Sequence, residues 1–317
     1  MSQDLFTVRC IRGELTESIH LVHAVVTDSD GSIIAHSGNP RYLTYARSTV
    51  KPIQAIAIIE AGAIQQHNLT QSEITVICAS HNGEREHVEC VTSILNKIGM
   101  STADLYCDIR DNCSGKHAGM LVLSSMLGIS ASGYQQSQHP VQKRIASTVA
   151  SMCNADTSQL VTAIDGCGVP VFGMSIQQLA IGFARLGIPP ACVHTDRKYA
   201  CDIVINAIRH SPFLLAGTDR FDTDLIRITS GRIIGKMGAE GVYAFTVPSQ
   251  GIGAAIKIVD GADRALYPAV VEILHQLKLL GDSELMKLLP YHKPNLINRH
   301  GEIVGWIQPE CILSLNA

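Results

Sequence analysis

Large aromatic side chains are scarce in this chain: 5% of its 317 residues are Phe, Trp or Tyr, with one Trp. Charge is sparse too, at 17% Asp, Glu, Lys and Arg, and nearly balanced, for a formal net charge of −3. Such a chain has no basic field for a nucleic acid and no cationic face for an acidic membrane, so neither is expected as a partner. No apolar run approaches the ~18 residues of a transmembrane helix. The opening Met1-Ser2-Gln3-Asp4-Leu5 shows no basic segment followed by an apolar stretch, so no signal peptide is expected and a cytoplasmic location is. His-Glu-x-x-His, the Gly-x-Ser-x-Gly elbow and the Walker loop are all missing. Gly251-Ile252-Gly253 fails the dinucleotide pattern at its last glycine. No repeat, low-complexity stretch or coiled-coil heptad appears.

What is present is apolar bulk, 46% of residues, enough for one large core or two moderate ones. Ten cysteines are scattered along the chain and read as reduced thiols, some of them open to metal binding. Thr7–Ile11 is short and β-branched. Leu21–Thr27, the polar turn 28–32 and Ile33–Ala35 form a predicted hairpin. From Pro52 to Ile64 the apolar spacing is helical, Ile74–Ala79 is a short buried run, and residues 115–210 are rich in helical patterns (Ala118–Leu127, Val141–Met152, Ser175–Leu186). Ile233-Ile234, Val242–Val247, Ala254–Val259 and Ile303–Ile307 read as strands, and Arg264–Leu277 as an amphipathic helix. Strands at both ends around helices predict the α/β class: a discontinuous sheet domain from 1–45 and 211–317, and a mainly helical domain, 46–210, carrying most motifs.

Three short motifs follow one another in an order that has chemical sense. Ser48-Thr49-Val50-Lys51 is Ser-x-x-Lys, which on a helix puts an amine one turn from a hydroxyl. A lysine acting as base near pH 7 needs its pKa depressed by about 3 units, or ~4 kcal/mol, a shift that burial and a neighbouring ammonium supply. Lys51 precedes Pro52, a position biased away from the helix, so the helix can start at Pro52 with Ser48 outside it. Alone, Ser-x-x-Lys is common by chance. Ser80-His81-Asn82 and Lys236-Met237-Gly238 complete the series Ser-x-x-Lys, Ser-x-Asn, Lys-x-Gly of serine acyl-transfer enzymes. There the first Ser attacks an acyl carbon, its Lys takes the proton, and the second Ser–Lys pair relays a proton to the leaving nitrogen. The bland readings are a polar turn for Ser80 and a solvated strand-end charge for Lys236.

A fourth group is Cys113-Ser114-Gly115-Lys116-His117 with Asp165-Gly166-Cys167-Gly168. Two thiolates with one or two further donors can hold Zn²⁺. On chemistry alone His117 is the more ordinary ligand, because Lys116 must first lose its proton. Two unrelated buried thiols beside Gly-rich turns fit the spacing equally.

These segments together resemble the serine–lysine L-asparaginases, the class distinct from the threonine-nucleophile enzymes. The resemblance runs through Tyr45–Gln54, Cys78–Glu84, Asn112–His117, Asp165–Pro170, Lys236–Gly241 and Asn298–Gly305, and so covers nearly the whole chain. The Thr-Gly-Gly-Thr segment of the threonine class is absent, and Met237 stands where relatives often carry a small hydroxyl residue. The resemblance implies a serine β-lactamase- and glutaminase-like fold, with a mixed sheet, flanking helices and a helical domain. It also implies a homodimer, the pairs Ser48–Lys51 and Ser80–Lys236, and one zinc per chain on Cys113, Lys116 and Cys167, with Asp165 nearby, through water in one arrangement. That places Lys116 above His117 as ligand. The expected reaction is hydrolysis of asparagine to aspartate and ammonia through an aspartyl-serine ester. Arg47 is expected to pair with the substrate carboxylate and Glu240 with its ammonium, while His81, Asn82 and His117 line the site. The competing expectations are glutaminase or another small-amide hydrolase, a β-lactam-binding enzyme, and a catalytically inert metal-binding protein.

Overall fold

The β-branched and apolar runs at the two ends of the sequence meet in one sheet. The structure, a computed structural model, describes residues 6–191, 194–310 and 313–315; the N-terminal reading at 1–5, and Cys192 and Cys311, lie outside them. Its strands are β1 (Thr7–Arg12), β2 (Leu15–Asp28), β3 (Ile33–Ser37), β4 (Leu43–Tyr45), β5 (Val161–Ile164), β6 (Pro170–Ser175), β7 (Ile234–Gly238), β8 (Val242–Val247), β9 (Ile252–Ile258), β10 (Asn295–Ile297), β11 (Ile303–Glu310) and β12 (Ser314–Leu315). The main sheet runs β10-β11-β1-β2-β9-β8-β7, with β3 joining β2 to β12. The second sheet is β4-β6-β5.

The α/β class is the one expected. Every described strand pairing is antiparallel, where a mixed sheet was expected. The β2–β3 hairpin forms at the predicted turn. There the Asp28 carboxylate accepts the N–H groups of Asp30, Gly31 and Ser32 at 2.8–3.0 Å, an Asx-type closure.

Both faces of the central strands are covered, so they read as near-continuous apolar runs rather than alternating ones. Val25, Val242, Ala244 and Ala255 join one buried cluster with Leu179, Ala180 and Phe183 of α7 (Ile176–Gly187). Their neighbours Ala24, Val26, Tyr243, Phe245 and Ile256 join another with Leu266, Val270 and Leu274 of a later helix, Asp263–Gln276. The α7 helix lies so close on β9 that a Cβ on Gly253 would sit 2.1 Å from the Ala184 nitrogen.

The remaining helices are α1 (Lys51–Glu60), α2 (Ala63–His67), α3 (Gln71–Ile77), α4 (Arg85–Lys97), α5 (Ser114–Met126), α6 (Pro140–Met152), α8 (Thr195–His210), α9 (Pro212–Ala216), α10 (Phe221–Ile228), α11 (Asp263–Gln276) and α12 (Asp282–His292). The buried run Ile74–Ala79 covers the last turn of α3 and the two residues after it. A capping box starts that helix: Thr70 Oγ1 accepts the Glu73 N–H at 3.3 Å and Glu73 Oε2 accepts the Thr70 N–H at 2.7 Å. The small sheet β4-β6-β5 interrupts the stretch read as helical, because a six-residue apolar run such as 169–174 has no periodicity of its own to mark it as strand. Among the described residues no helix is long and apolar enough to cross a membrane.

Candidate active site

Ser48 lies on a 3₁₀ turn, Arg47–Val50, that runs directly into α1. Lys51 is helical (φ −55°, ψ −41°) despite preceding Pro52, and Pro52 sits in the first turn of α1, where its missing N–H costs nothing. Ser48 is therefore outside the α-helix, as the proline suggested, yet still one turn from Lys51. The turn is entered through Arg47 at φ +50°, a left-handed conformation costing a non-glycine residue roughly 1–3 kcal/mol. Three contacts hold it. The Ala46 N–H donates to Phe172 O at 2.9 Å, Thr49 Oγ1 donates to Ala46 O at 2.5 Å, and Arg47 Nε and Nη2 donate to Asp165 Oδ1 at 3.1 and 3.0 Å. Gly238 of β7 packs against Ala46, Arg47 and Thr49, which brings the Lys236 strand alongside.

Lys51 is 1% exposed. Its Nζ contacts Ala79 O at 2.7 Å, Ser80 Oγ at 3.0 Å and Asn112 O at 3.2 Å. The hydrogen-bonded partner of Lys51 is thus Ser80, not the Ser48 of the expected pairing; Ser48, part-exposed, makes no side-chain hydrogen bond among the described residues. Burial pulls the Lys51 pKa down, with Lys116 adding to that and Cys113 opposing it. When Lys51 is neutral, two N–H bonds to the carbonyls leave its lone pair facing the Ser80 hydroxyl, the arrangement of a base.

Lys236 is fully buried, so it is not a solvated strand-end charge. Its Nζ donates to Met237 O at 2.8 Å and lies 3.7 Å from Asp222 Oδ2. Burial holds its pKa down at about 7, against the pull of Asp222 and with help from Lys51 and Arg220. The expected Ser80–Lys236 pair is not among the hydrogen bonds of the described residues; Ser80 is on Lys51 and Lys236 is on Asp222. Asp222, in the first turn of α10, also accepts the Met237 N–H at 3.0 Å. No motif announces it.

His81 and His117 are both buried, and burial pushes each down to about 3. His81 Nδ1 accepts the Gly83 N–H at 3.0 Å, so Nε2 carries the proton and donates to Ser114 Oγ at 3.0 Å. His117 Nδ1 is 2.7 Å from the Tyr134 hydroxyl, whose oxygen accepts the Tyr106 N–H at 2.9 Å. With Tyr134 donating, His117 Nε2 is a buried donor, and it has no partner among the described residues. Asn82 is exposed and spends its amide on Thr218 O at 3.0 Å and Arg220 Nη1 at 2.6 Å. Glu240, exposed at φ +64°, lies in the turn between β7 and β8, its carbonyl held by Lys257 Nζ at 2.6 Å.

The N-terminus of α5 presents the thiol group. Gly115 sits where a Cβ would lie 1.9 Å from Val76 O; only glycine lets α5 close on α3 and bring Asn112 and Cys113 beside Lys51. Lys116 Nζ donates to Cys167 Sγ at 3.0 Å. A hydrogen bond from Cys167 holds the Cys113 thiol well below its usual range, against burial and with Lys51 and Lys116 assisting, while Cys167 is pushed up. Burial draws Lys116 down, but the two sulfurs and Asp165 raise it overall. Two sulfurs and one amine therefore converge, a donor set suited to zinc once the thiols and Lys116 are deprotonated. Among the described residues no three His, Cys, Asp or Glu side chains cluster for a metal, so the amine is indispensable to such a site. Asp165 is engaged by Arg47. Cavities of about 580 and 380 Å³ open beside Phe213 and beside Tyr45, and no catalytic candidate lines either. The site is marked by its side-chain chemistry.

The sequence profile of the L-asparaginase II family matches residues 8–309. The chain belongs to the L-asparaginase II family. Family membership makes it an amidohydrolase of the L-asparaginase kind. No curated protein sequence matches it. Among solved structures it is similar to a β-lactamase from Mycobacterium bovis, at 13% identity and TM-score 0.46, covering 82% of this chain and 95% of that one. A putative β-lactamase from Bacteroides dorei gives 10% identity and TM-score 0.45, over 82% and 94%. A penicillin-binding protein homologue from Pyrococcus abyssi gives 10% and 0.33, over 80% and 73%.

Proposed function

We propose that this asparaginase works through an aspartyl ester on Ser48, with Lys51, Ser80 and Lys236 moving the protons. The observation that carries the reading is the pair of buried lysines beside two serines, one of them in hydrogen-bond contact with Lys51. Burial lowers the pKa of both lysines and so favours the neutral amine that a base needs. Ser48 is the nucleophile because it is the serine open to substrate, whereas Ser80 is 4% exposed. Its hydroxyl proton goes to neutral Lys51 as Oγ bonds to the amide carbon. The tetrahedral oxyanion collapses, and the C–N bond breaks as nitrogen takes a proton from Lys236 through Ser80 and leaves as ammonia. The proton on Lys51 passes through Ser80 to refill Lys236, so Lys51 is neutral again when water attacks the ester; Lys51 takes the water proton and returns it to Ser48 Oγ as the ester C–O bond breaks and aspartate leaves. The unpartnered His117 Nε2–H is a donor for a substrate oxygen.

Zinc held by Cys113, Cys167 and Lys116 would supply a fixed positive charge beside these groups. The eight free cysteines among the described residues favour a reducing, cytoplasmic setting. A homodimer is part of the same proposal.

The Lys51–Ser80 contact favours a second reading, in which Ser80 itself attacks. Quenched reaction mixtures with asparagine, digested and weighed by mass spectrometry, decide between them. The aspartyl mass is expected on the Ser48 peptide, and Ser48→Ala is expected to lower kcat by at least about 10³-fold. An ester on Ser80 in wild-type enzyme selects the second reading, and full turnover by both serine variants refutes the covalent mechanism. Parallel rates on asparagine and glutamine fix the preference, since one methylene is worth only about 1–3 kcal/mol.

A further inference from the structure

Hydrolysis of a free amino-acid amide needs a cation for its α-carboxylate, and we infer that Arg220 supplies it in place of Arg47. The inference rests on the reading of the site given above. Arg47 is already matched, with Nε and Nη2 both on Asp165 Oδ1 at 3.1 and 3.0 Å. Turning it to the substrate would strand a part-buried Asp165 carboxylate next to an incoming carboxylate, an unfavourable like-charge encounter.

Arg220 is differently placed. It is part-buried, immediately precedes α10, and joins no ion pair among the described residues. Its one side-chain hydrogen bond there runs from Nη1 to the neutral Asn82 Oδ1 at 2.6 Å. Asn82 is itself fixed on both sides, its N–H on Ala216 O and its Nδ2 on Thr218 O, each at 3.0 Å. The bond therefore holds the guanidinium at the Asn82 end of the Ser80-His81-Asn82 loop. The remaining N–H groups keep the planar fork that matches a carboxylate. Arg220 stands two residues before Asp222, whose carboxylate lies 3.7 Å from Lys236 Nζ, and its charge acts on Lys236 and His81 as well as on His87 and Tyr267. Asn82, with both ends of its amide engaged, becomes a positioning residue for Arg220 instead of a substrate contact.

The test compares asparagine with 3-aminopropanamide, which is asparagine without its α-carboxylate. Arg220→Met is expected to raise KM for asparagine about 10- to 100-fold, the worth of a charge-assisted bidentate pair, with kcat changed far less. Its effect on 3-aminopropanamide is expected to stay within about twofold, read as the inhibition constant against asparagine where turnover is slow. Arg220→Lys, which keeps the charge and guards against a folding defect, is expected to fall between. Equal losses on both substrates would assign Arg220 to holding the loop and overturn the inference. So would an unchanged asparagine KM, or a carboxylate-selective loss in Arg47→Met alone. Wild-type turnover indifferent to both Ser48→Ala and Ser80→Ala would instead sink the mechanism itself, whatever Arg220 does.

Discussion

Replacing Asp222 by Asn tests how the fold sets the charge on Lys236. Asparagine at 222 keeps an oxygen for the Met237 N–H, so the change removes charge and little else. Asp222 and Lys236 are each buried, with carboxylate and amine 3.7 Å apart. Burial is the main influence holding Lys236 at about 7; Lys51 and Arg220 push the same way, and Asp222 and Cys113 oppose them. At this separation a unit pair is worth about 4 kcal/mol at an effective dielectric of 20, which bounds the loss at about 3 pH units. Removing the carboxylate therefore moves Lys236 from about 7 toward neutrality throughout the assay range. If protonated Lys236 feeds the leaving nitrogen, wild-type kcat falls as pH rises through about 7. In Asp222→Asn that limb is expected to move to lower pH by about 1–3 units, with kcat at pH 7 down about 10- to 100-fold. The assay is ammonia release across pH 5–9, with circular dichroism confirming the fold. A limb at the same pH in both proteins would refute the coupling, and a gain of activity at acid pH would show Lys236 acting as base.

Two further outcomes follow from the site. Protein purified without chelator is expected to carry about one zinc per chain by elemental analysis, lost in Cys113→Ser and Cys167→Ser and retained in Asp165→Asn, because Asp165 is held by Arg47; metal retained without either cysteine would remove the thiols from the site. The buried histidines predict acid instability. His81 and His117 titrate at about 3 in the fold, against about 6.5 unfolded. Between those values the unfolded chain binds the extra protons, so stability rises with pH there and is lost as pH falls from about 6.5 toward 3, by up to ~1.4 kcal/mol per pH unit for each ring. Urea unfolding at pH 4–6 is expected to show this slope, reduced by about one proton in His117→Gln; an unaltered slope would mean His117 is not the titrating group.

Much of the fold was legible because period and punctuation agreed. The Asp28–Ser32 turn, the helices Pro140–Met152 and Asp263–Gln276, and the strand Val242–Val247 all form where spacing and polar breaks put them. The sheet β4-β6-β5 was not legible. β6 is buried along most of its length, and an apolar run without alternation carries no signature that separates strand from helix. Asp222 and Arg220 were silent for another reason. Each reaches the site from the α9–α10 segment through contacts to residues 14 and 138 positions away, Asp222 to Lys236 and Arg220 to Asn82, and no short motif records such a neighbour.

The candidate catalytic set shows the same division between what spacing encodes and what packing decides. Ser48, Lys51, Ser80 and Lys236 were found as a list, with the Ser48–Lys51 pair taken from spacing and the Ser80–Lys236 pair from motif order and the resemblance. Ser48 and Lys51 are three residues apart on a 3₁₀ turn feeding α1, which brings them near each other without choosing where the amine points. That choice belongs to α3 and α5. The segment just after α3 delivers the Ala79 carbonyl and the Ser80 hydroxyl, and the residue before Cys113 delivers the Asn112 carbonyl; all three face Lys51 Nζ. The approach of α5 to α3 depends in turn on Gly115, where a side chain would strike Val76 O. A glycine with no chemistry of its own thus governs which serine Lys51 meets, and Ser48 is left part-exposed, without a side-chain hydrogen bond among the described residues.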